Sequence, residues 1–271
     1  MTAMPIYYIN LASAPGRRAE MERQFAALGL VAERVEAVTP ADITAEDIAA
    51  YCNPDRYKWL APTELACSLS HIKVWRKIVA SGVSRAAVFE DDAILSNTLP
   101  AFLRDVESVG LDAGLIKIEI CPNRIRADAD SAYTVGEIAL RRIFGFSGGT
   151  AAYLISACLA ARTIDHVEIR RTPLDRALFD SLKRFSRRLD FLQADPGLAI
   201  QADQLAAGPG KMEGSQIKRD LQSRFQFRNR STWRHAVNVS RRWLDENIRE
   251  GYRKTYLDVI GVKKRKIKFL P

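Results

Sequence analysis

The sequence predicts an α/β fold with a mostly parallel central sheet over residues 1–210, followed by a basic α-helical extension over 211–271. Three observations predict it. Short β-branched and aromatic runs alternate with segments of helical period through the first two thirds of the chain. The strand signal then stops near residue 211, where the charge changes sign. Between these lies "AAVFEDDAIL" (86–95), in which Glu90, Asp91 and Asp92 close an apolar, buried-type strand. Ligands of parallel sheets bind outside the carboxyl ends of the strands, which is where these acids fall.

The elements follow in order. "IYYINL" (6–11) reads as a first strand ending at the turn formers Ala-Pro-Gly. "RRAEMERQFAALGL" places Met21, Phe25 and Leu28 at helical spacing and Gly29 at the stop. "AERVEAV" is a second strand, and 40–63 mixes short helix and loop. "TELACSLSHIKVWRKIVASG" is a helix capped by Thr63, with Leu65, Leu69, Ile72 and Trp75 at helical steps, closed by Gly82. "RAAVFEDDAIL" is one strand, "AFLRDVESV" a helix and "GLIKIEI" a strand, while 122–137 reads as loop. "FGFSGGTAAYLIS" gives strand, glycines, strand, and "ACLAARTIDHV" a helix.

With 271 residues and 47% hydrophobic content, the chain has material for one sizeable core plus an appendage. No run of about 18 apolar residues occurs, and the N-terminus lacks a basic and a long apolar region, so neither a membrane span nor a signal peptide is expected. Cys52, Cys67, Cys121 and Cys158 lack CxxC spacing and read as thiols of a reducing compartment. Residues 211–271 carry 17 Lys+Arg against 6 Asp+Glu, net +11; the first 210 carry 24 against 26, net −2. The excess charge in the tail points to an anionic surface: lipid, nucleic acid or a phosphorylated glycan.

Strand alternation sends Glu90 and Asp92 to one side of the sheet and Asp91 to the other. Two hard oxygen donors there suit Mn²⁺ or Mg²⁺, held by carboxylates and substrate phosphates. The competing reading is an acidic turn, or a helix start favouring Asp.

Several segments together resemble glycosyltransferase family 25, the lipooligosaccharide sugar transferases. "YYINLASAPGRRAEMERQF" is similar to the family's opening strand and turn, and "RVEAV" follows at the usual distance. "ELACSLSHIKVWRKIV" resembles its E-[LI]-[GA]-C-x-x-S-H helix, "AVFEDDAIL" its [FL]-E-D-D strand, and "GTAAYLIS" its G-T-x-[AG]-Y-L-[IV]-S segment. "PLD", "PGLAIQAD" and "GSQI" resemble its later segments, so the likeness spans about residues 5–217. It implies a GT-A-type nucleotide-sugar-binding fold. The activity implied is an inverting, metal-assisted transfer of galactose or glucose from a UDP-sugar. The acceptor implied is a lipid-linked lipopolysaccharide or lipooligosaccharide core at the cytoplasmic face of the membrane.

The resemblance assigns roles residue by residue. Asn10 and Leu11 end the first strand at the nucleotide, where Asn10 alone reads as an Asx-turn. One of Arg17 and Arg18 meets uracil, ribose or phosphate; otherwise they are a solvated pair at a helix start. Glu36 and Ala37 approach base and ribose, unless Glu36 is a surface acid. Glu64, Ser68 and His71 share a helix face and form a wall of the site. Asp92, then Glu90, are the metal ligands, while Asp91 bonds ribose or backbone. Gly149 and Thr150, after Gly148, allow close approach of a sugar. Asp175 is the general base, against its reading as a helix-start acid after Pro173. Glu119 is the reserve base; "IKIE" pairs it with Lys117 on one face as a structural ion pair. Gln201 is a late metal or phosphate contact.

In the tail, Trp233, Val237, Leu244, Ile248 and Tyr252 lie near one helical face, and "KKRKIKFLP" ends the chain in charge. Aromatics docked on the body with basic residues toward anionic lipid are expected. No nucleic-acid module signature appears, so no specific nucleic-acid partner is expected. A phosphotransferase is the other rival, but no GxxxxGK[ST] loop occurs. A catalytically altered family member is the third, since "SGGT" and Arg176 depart from the pattern. The oligomeric state is not legible.

Overall fold

A computed structural model describes residues 4–54, 59–120, 123–207, 262 and 264–271. The chain opens with β1 (Ile6–Asn10) and α1 (Pro15–Ala27), which Pro15 starts and Gly29, at φ +65°, ends. β2 (Glu33–Glu36), α2 (Ala45–Tyr51) and α3 (Pro62–Ala80) follow. Glu64 closes the start of α3 by accepting the Ala61 N–H at 2.7 Å, so the cap lies at Ala61, two residues before the expected Thr63, which is the second residue of the helix. β3 (Arg85–Glu90) and β4 (Ala93–Leu95) replace the single expected strand: Asp91 and Asp92 form a turn between them. Next come α4 (Leu99–Asp105), β5 (Leu115–Lys117), β6 (Ile125–Arg126), β7 (Tyr133–Val135) and β8 (Ile138–Arg142). β9 (Ala152–Ser156), α5 (Ala157–Thr163), α6 (Leu174–Phe179) and α7 (Arg184–Arg187) lead to β10 (Leu192–Asp195), β11 (Ala199–Gln201) and α8 (Ala202–Ala207). The chain ends on β12 (Lys264–Arg265).

Eight strands form one sheet in the order β2-β1-β3-β9-β5-β10-β8-β7. β1 pairs in parallel with β2 and β3, and β5 with β10. β9 enters between β3 and β5 antiparallel to both, and β8 runs against β10 and β7. The sheet is therefore mixed, although all its strands except β8 and β9 point one way. Two strand signals were hidden: β8 ("IALRR") by its arginines, and the β6–β7 region by its polar residues. The expected strand at "FGF" is absent; Phe146 makes only one bridge, to Asp180.

Alternate residues of each strand feed two cores, as a sheet buried on both faces requires. Tyr7, Ile9, Val88, Leu115, Tyr153 and Ile155 pack on one side with Trp75 of α3 and Leu178 of α6. Ile6, Tyr8, Phe89, Ile116 and Leu154 pack on the other with Phe25 of α1 and Phe102 of α4. Phe25 meets the Phe89 ring edge-on at 5.7 Å.

Most of the expected basic helix lies outside the described residues. Its last stretch is not helical: β12 pairs with β6, Ile267 is fully buried, and Gly197 bonds the backbone of Lys268 and Leu270. Arg265 reaches Asp195 at 3.0 Å. The residues expected to face an anionic surface thus include some that close the fold.

Candidate active site

The parallel strands β1, β3 and β5 end at one edge of the sheet, and the candidate residues gather there by register. Ile9 pairs with Glu90, so Asn10 and Asp91 emerge side by side. Asn10, fully buried, donates through Nδ2 to Asp91 Oδ2 at 2.6 Å and to the Ala14 carbonyl at 3.1 Å. Its Oδ1 accepts from Arg34 at 3.0 Å. Asp91 also takes the Leu11 N–H, and Arg17 stands 3.3 Å from it with half its side chain in solvent. Burial raises the Asp91 carboxyl despite these partners. Ala37 sits beside the same strand end, its N–H on the Asn10 carbonyl at 3.0 Å. Glu36 is exposed and turned to Arg34 at 3.5 Å. Arg18 pairs instead with Glu22 at 2.8 Å, and Glu22 also receives the Tyr8 hydroxyl.

β3 ends at Glu90 and Asp92 lies in the turn beyond it, so the expected strand alternation does not reach Asp92. Glu90 is engaged. Burial acts to raise its carboxyl, but bonds from His71, at 3.3 Å, and from Thr150 outweigh it and hold the group low. The His71 tautomer follows from its partners. Trp75 Nε1 can only donate, and it does so to the Tyr153 hydroxyl at 2.9 Å. That hydroxyl then donates a hydrogen bond to His71 Nδ1 at 2.8 Å, leaving Nε2–H to donate to Glu90. Cys67, His71 and Glu90 have potential ligand atoms within 4.8 Å of one another. The tautomer removes the lone pair that a metal needs from Nε2, so the network orients Glu90. Burial pushes the half-buried Cys67 thiol well up, which makes it unreactive as a nucleophile. Tyr153→Phe is expected to orphan the Trp75 N–H and His71 Nδ1, at a cost of about 1–3 kcal/mol for each. Urea unfolding measures this, and an unchanged midpoint would contradict the buried bonds of the Tyr153 hydroxyl.

Asp92 makes no side-chain hydrogen bond among the described residues, and its Oδ1 is enclosed without a partner. Burial, then Glu90, Glu119 and Asp91, push its carboxyl up to about 8. Glu119, fully buried, is pushed up to about 7 by burial, with Lys117 acting against the shift. One Glu119 oxygen accepts the Ala151 N–H at 2.9 Å and lies 3.2 Å from Lys117; Oε1 is unpartnered. Asp175, in the first turn of α6, accepts the Arg176 N–H at 2.7 Å and the Gly149 N–H at 3.4 Å. Gly149 has φ +92°, a conformation only glycine adopts freely.

Three of the sequence candidates remain. Glu64 is bound into the α3 start. Ser68 is fully buried with an unpartnered hydroxyl. Gln201 ends β11 opposite Ala93 and accepts from Gln204 at 2.7 Å. The sequence assigns no site role to Trp75 or Arg34; Tyr153 stands in it only as the tyrosine of the G-T-x-[AG]-Y-L-[IV]-S segment, and Lys117 only as the partner of Glu119. A fully buried Lys within "IKIE" was the available signal, since such a charge needs partners.

This edge of acids, amide and arginine lies within residues 3–178, which match the model of glycosyltransferase family 25 (LPS biosynthesis protein). The chain belongs to that family. It is 32% identical over 183 residues to a glycosyltransferase 25 family member of Aedes aegypti, covering 63% of this chain and 29% of that one. It is 26% identical over 225 residues to the inactive glycosyltransferase 25 family member 3 of Homo sapiens, covering 77% and 37%. It is 24% identical over 230 residues to the lacto-N-neotetraose biosynthesis glycosyltransferase LgtE of Neisseria gonorrhoeae, covering 80% and 81%. The chain thus spans about a third of the insect and human proteins and most of the bacterial one.

Proposed function

We propose that the chain is a GT-A-type, inverting glycosyltransferase that moves galactose or glucose from a UDP-sugar to a lipid-linked lipopolysaccharide or lipooligosaccharide core. The observation that carries this is Asp92: an acid with an enclosed, unpartnered oxygen among Glu90, Glu119 and Asp91, at the edge where α/β sheets bind ligands. A cation beside it would let this acid ionise in place. Hard carboxylate oxygens fit Mn²⁺ or Mg²⁺, with Asp92 as ligand and Glu90, turned by His71 and Thr150, beside it. A bound ion would supply positive charge against the diphosphate of the departing UDP.

The chain's own residues do the rest. Asn10, the Leu11 N–H and Asp91 form a polar floor for the nucleoside, and Arg17, paired with Asp91 and half in solvent, stands beside it where its guanidinium can meet phosphate. Asp175 takes the proton from the acceptor hydroxyl as it attacks the anomeric carbon. The Gly149 N–H holds that carboxylate toward the glycine loop. The likeness to a lacto-N-neotetraose enzyme supports an oligosaccharide acceptor. Peripheral attachment to the inner face of the cytoplasmic membrane through the basic tail belongs to the same reading. No helix among the described residues is long and apolar enough to cross a membrane.

Calorimetric titration of UDP, with Mn²⁺ and then with EDTA, tests the reading. Binding is expected with Mn²⁺, weakened by EDTA and by Asn10→Ala. No binding under either condition removes the nucleotide-sugar reading. Binding without turnover of UDP-galactose or UDP-glucose onto any core acceptor would favour an inactive member, as the human relative's name states of that protein.

A further inference from the structure

The loop between β8 and β9 is held by two residues that the proposed chemistry does not use. Lys117, fully buried, directs its ammonium at three successive carbonyls, those of Ser147, Gly148 and Gly149. Its charge is met by Glu119 at 3.2 Å and by the Phe179 ring, 4.8 Å from its nitrogen. Glu119 in turn accepts the Ala151 N–H. The pair therefore grips four of five consecutive residues through their backbone. Gln193, also buried, adds a bond from the Ser147 hydroxyl at 2.9 Å. A Cβ at Gly149 would collide with the Glu119 carboxylate, so the grip admits only glycine there.

Three carbonyls turned onto one cation leave the same peptides' N–H groups facing away from it. One of these, the Gly149 N–H, bonds Asp175, and the neighbouring Thr150 side chain bonds Glu90 through its hydroxyl, so the loop meets both proposed working acids. Those acids come from α6 and β3, far apart in the chain, and this loop is a contact common to both. We propose that Lys117 and Glu119 are positioning residues: a buried ion pair that fixes the 147–151 loop and through it the relative placement of Glu90 and Asp175. The proposal rests on the transferase reading for its catalytic consequence, but the grip on the loop stands apart from it.

The test compares Lys117→Met, Glu119→Ala and Glu119→Gln. Amide hydrogen exchange is read at Gly148–Ala151, with the β9 amides of Leu154 and Ile155 as the control for folding. Donor turnover and UDP affinity are read on the same samples. Lys117→Met and Glu119→Ala are expected to speed exchange in the loop while β9 stays protected. They should lower kcat about 100-fold, with the donor KM and UDP affinity within about threefold. Glu119→Gln, which retains an acceptor for the Ala151 N–H, should recover most of the loss. Loop exchange as slow as wild type in folded variants would overturn the grip. A loosened loop with full kcat, or equal losses in all three variants, would overturn the positioning role. If wild-type protein neither binds UDP nor turns over donor, the transferase reading fails, and the exchange arm still decides the grip.

Discussion

Asp92→Asn is expected to stabilise the metal-free protein while removing its response to Mn²⁺. The carboxyl of Asp92 rises from 3.8 to about 8 because burial and three neighbouring acids disfavour its charge. Between those values the folded state keeps a proton that the unfolded chain has released. Stability in EDTA must therefore fall as pH rises through that window, by at most about 1.4 kcal/mol per pH unit for one proton. Glu119, raised to about 7, acts in the same sense up to that pH. Glu90 is lowered and acts the opposite way, below its ordinary value of 4.5. Asparagine cannot ionise, so the variant should show a shallower decline and a higher melting temperature at the alkaline end. Mn²⁺ should raise the wild-type melting temperature most at alkaline pH and leave the variant's unchanged. An identical pH slope in both proteins would mean that Asp92 is not the strained acid. Equal Mn²⁺ responses would put the cation elsewhere.

What the sequence discloses of this site depends on the range over which each feature is decided. β1, α1, α3 and β9 are legible because periodicity and their glycine or proline ends are local signals. The direction of β9 is not: nothing in "AAYLIS" records that it pairs antiparallel with both β3 and β5, since those partners lie dozens of residues away. The turn at Asp91–Asp92 stands in the sequence only as the competing reading, because "AAVFEDDAIL" is apolar on both sides and only the pairing of β4 with β11 reveals a second strand. The pairing of Lys117 with Glu119 is readable from i, i+2 spacing. Its purpose is not, because the carbonyls it binds come from another loop. Arg18 shows the converse: its neighbour Arg17 reaches Asp91, while helical geometry offers it Glu22 four residues on. Adjacent residues of one type are separated by phase alone.

Asp175→Asn is expected to lower transfer about 10²–10⁴-fold, with UDP affinity unchanged. Asparagine is isosteric and its carbonyl oxygen can still accept from Arg176 or Gly149, so the local fold should survive. What it loses is the ability to take the acceptor's proton. The competing assignment is Glu119, also an acid of this edge, but its carboxylate is fully buried and tied to Lys117 and Ala151. A double-variant cycle separates the two. If Glu119 acts only by holding the loop, much of its effect passes through Asp175, and adding Glu119→Ala to Asp175→Asn should cost less than it does in wild type. If the losses multiply in full, the two carboxylates act independently and Glu119 has a chemical role of its own. Steady-state transfer with each single variant and the double, at saturating donor, distinguishes these outcomes. Asp175→Asn at wild-type rate would remove it as the base.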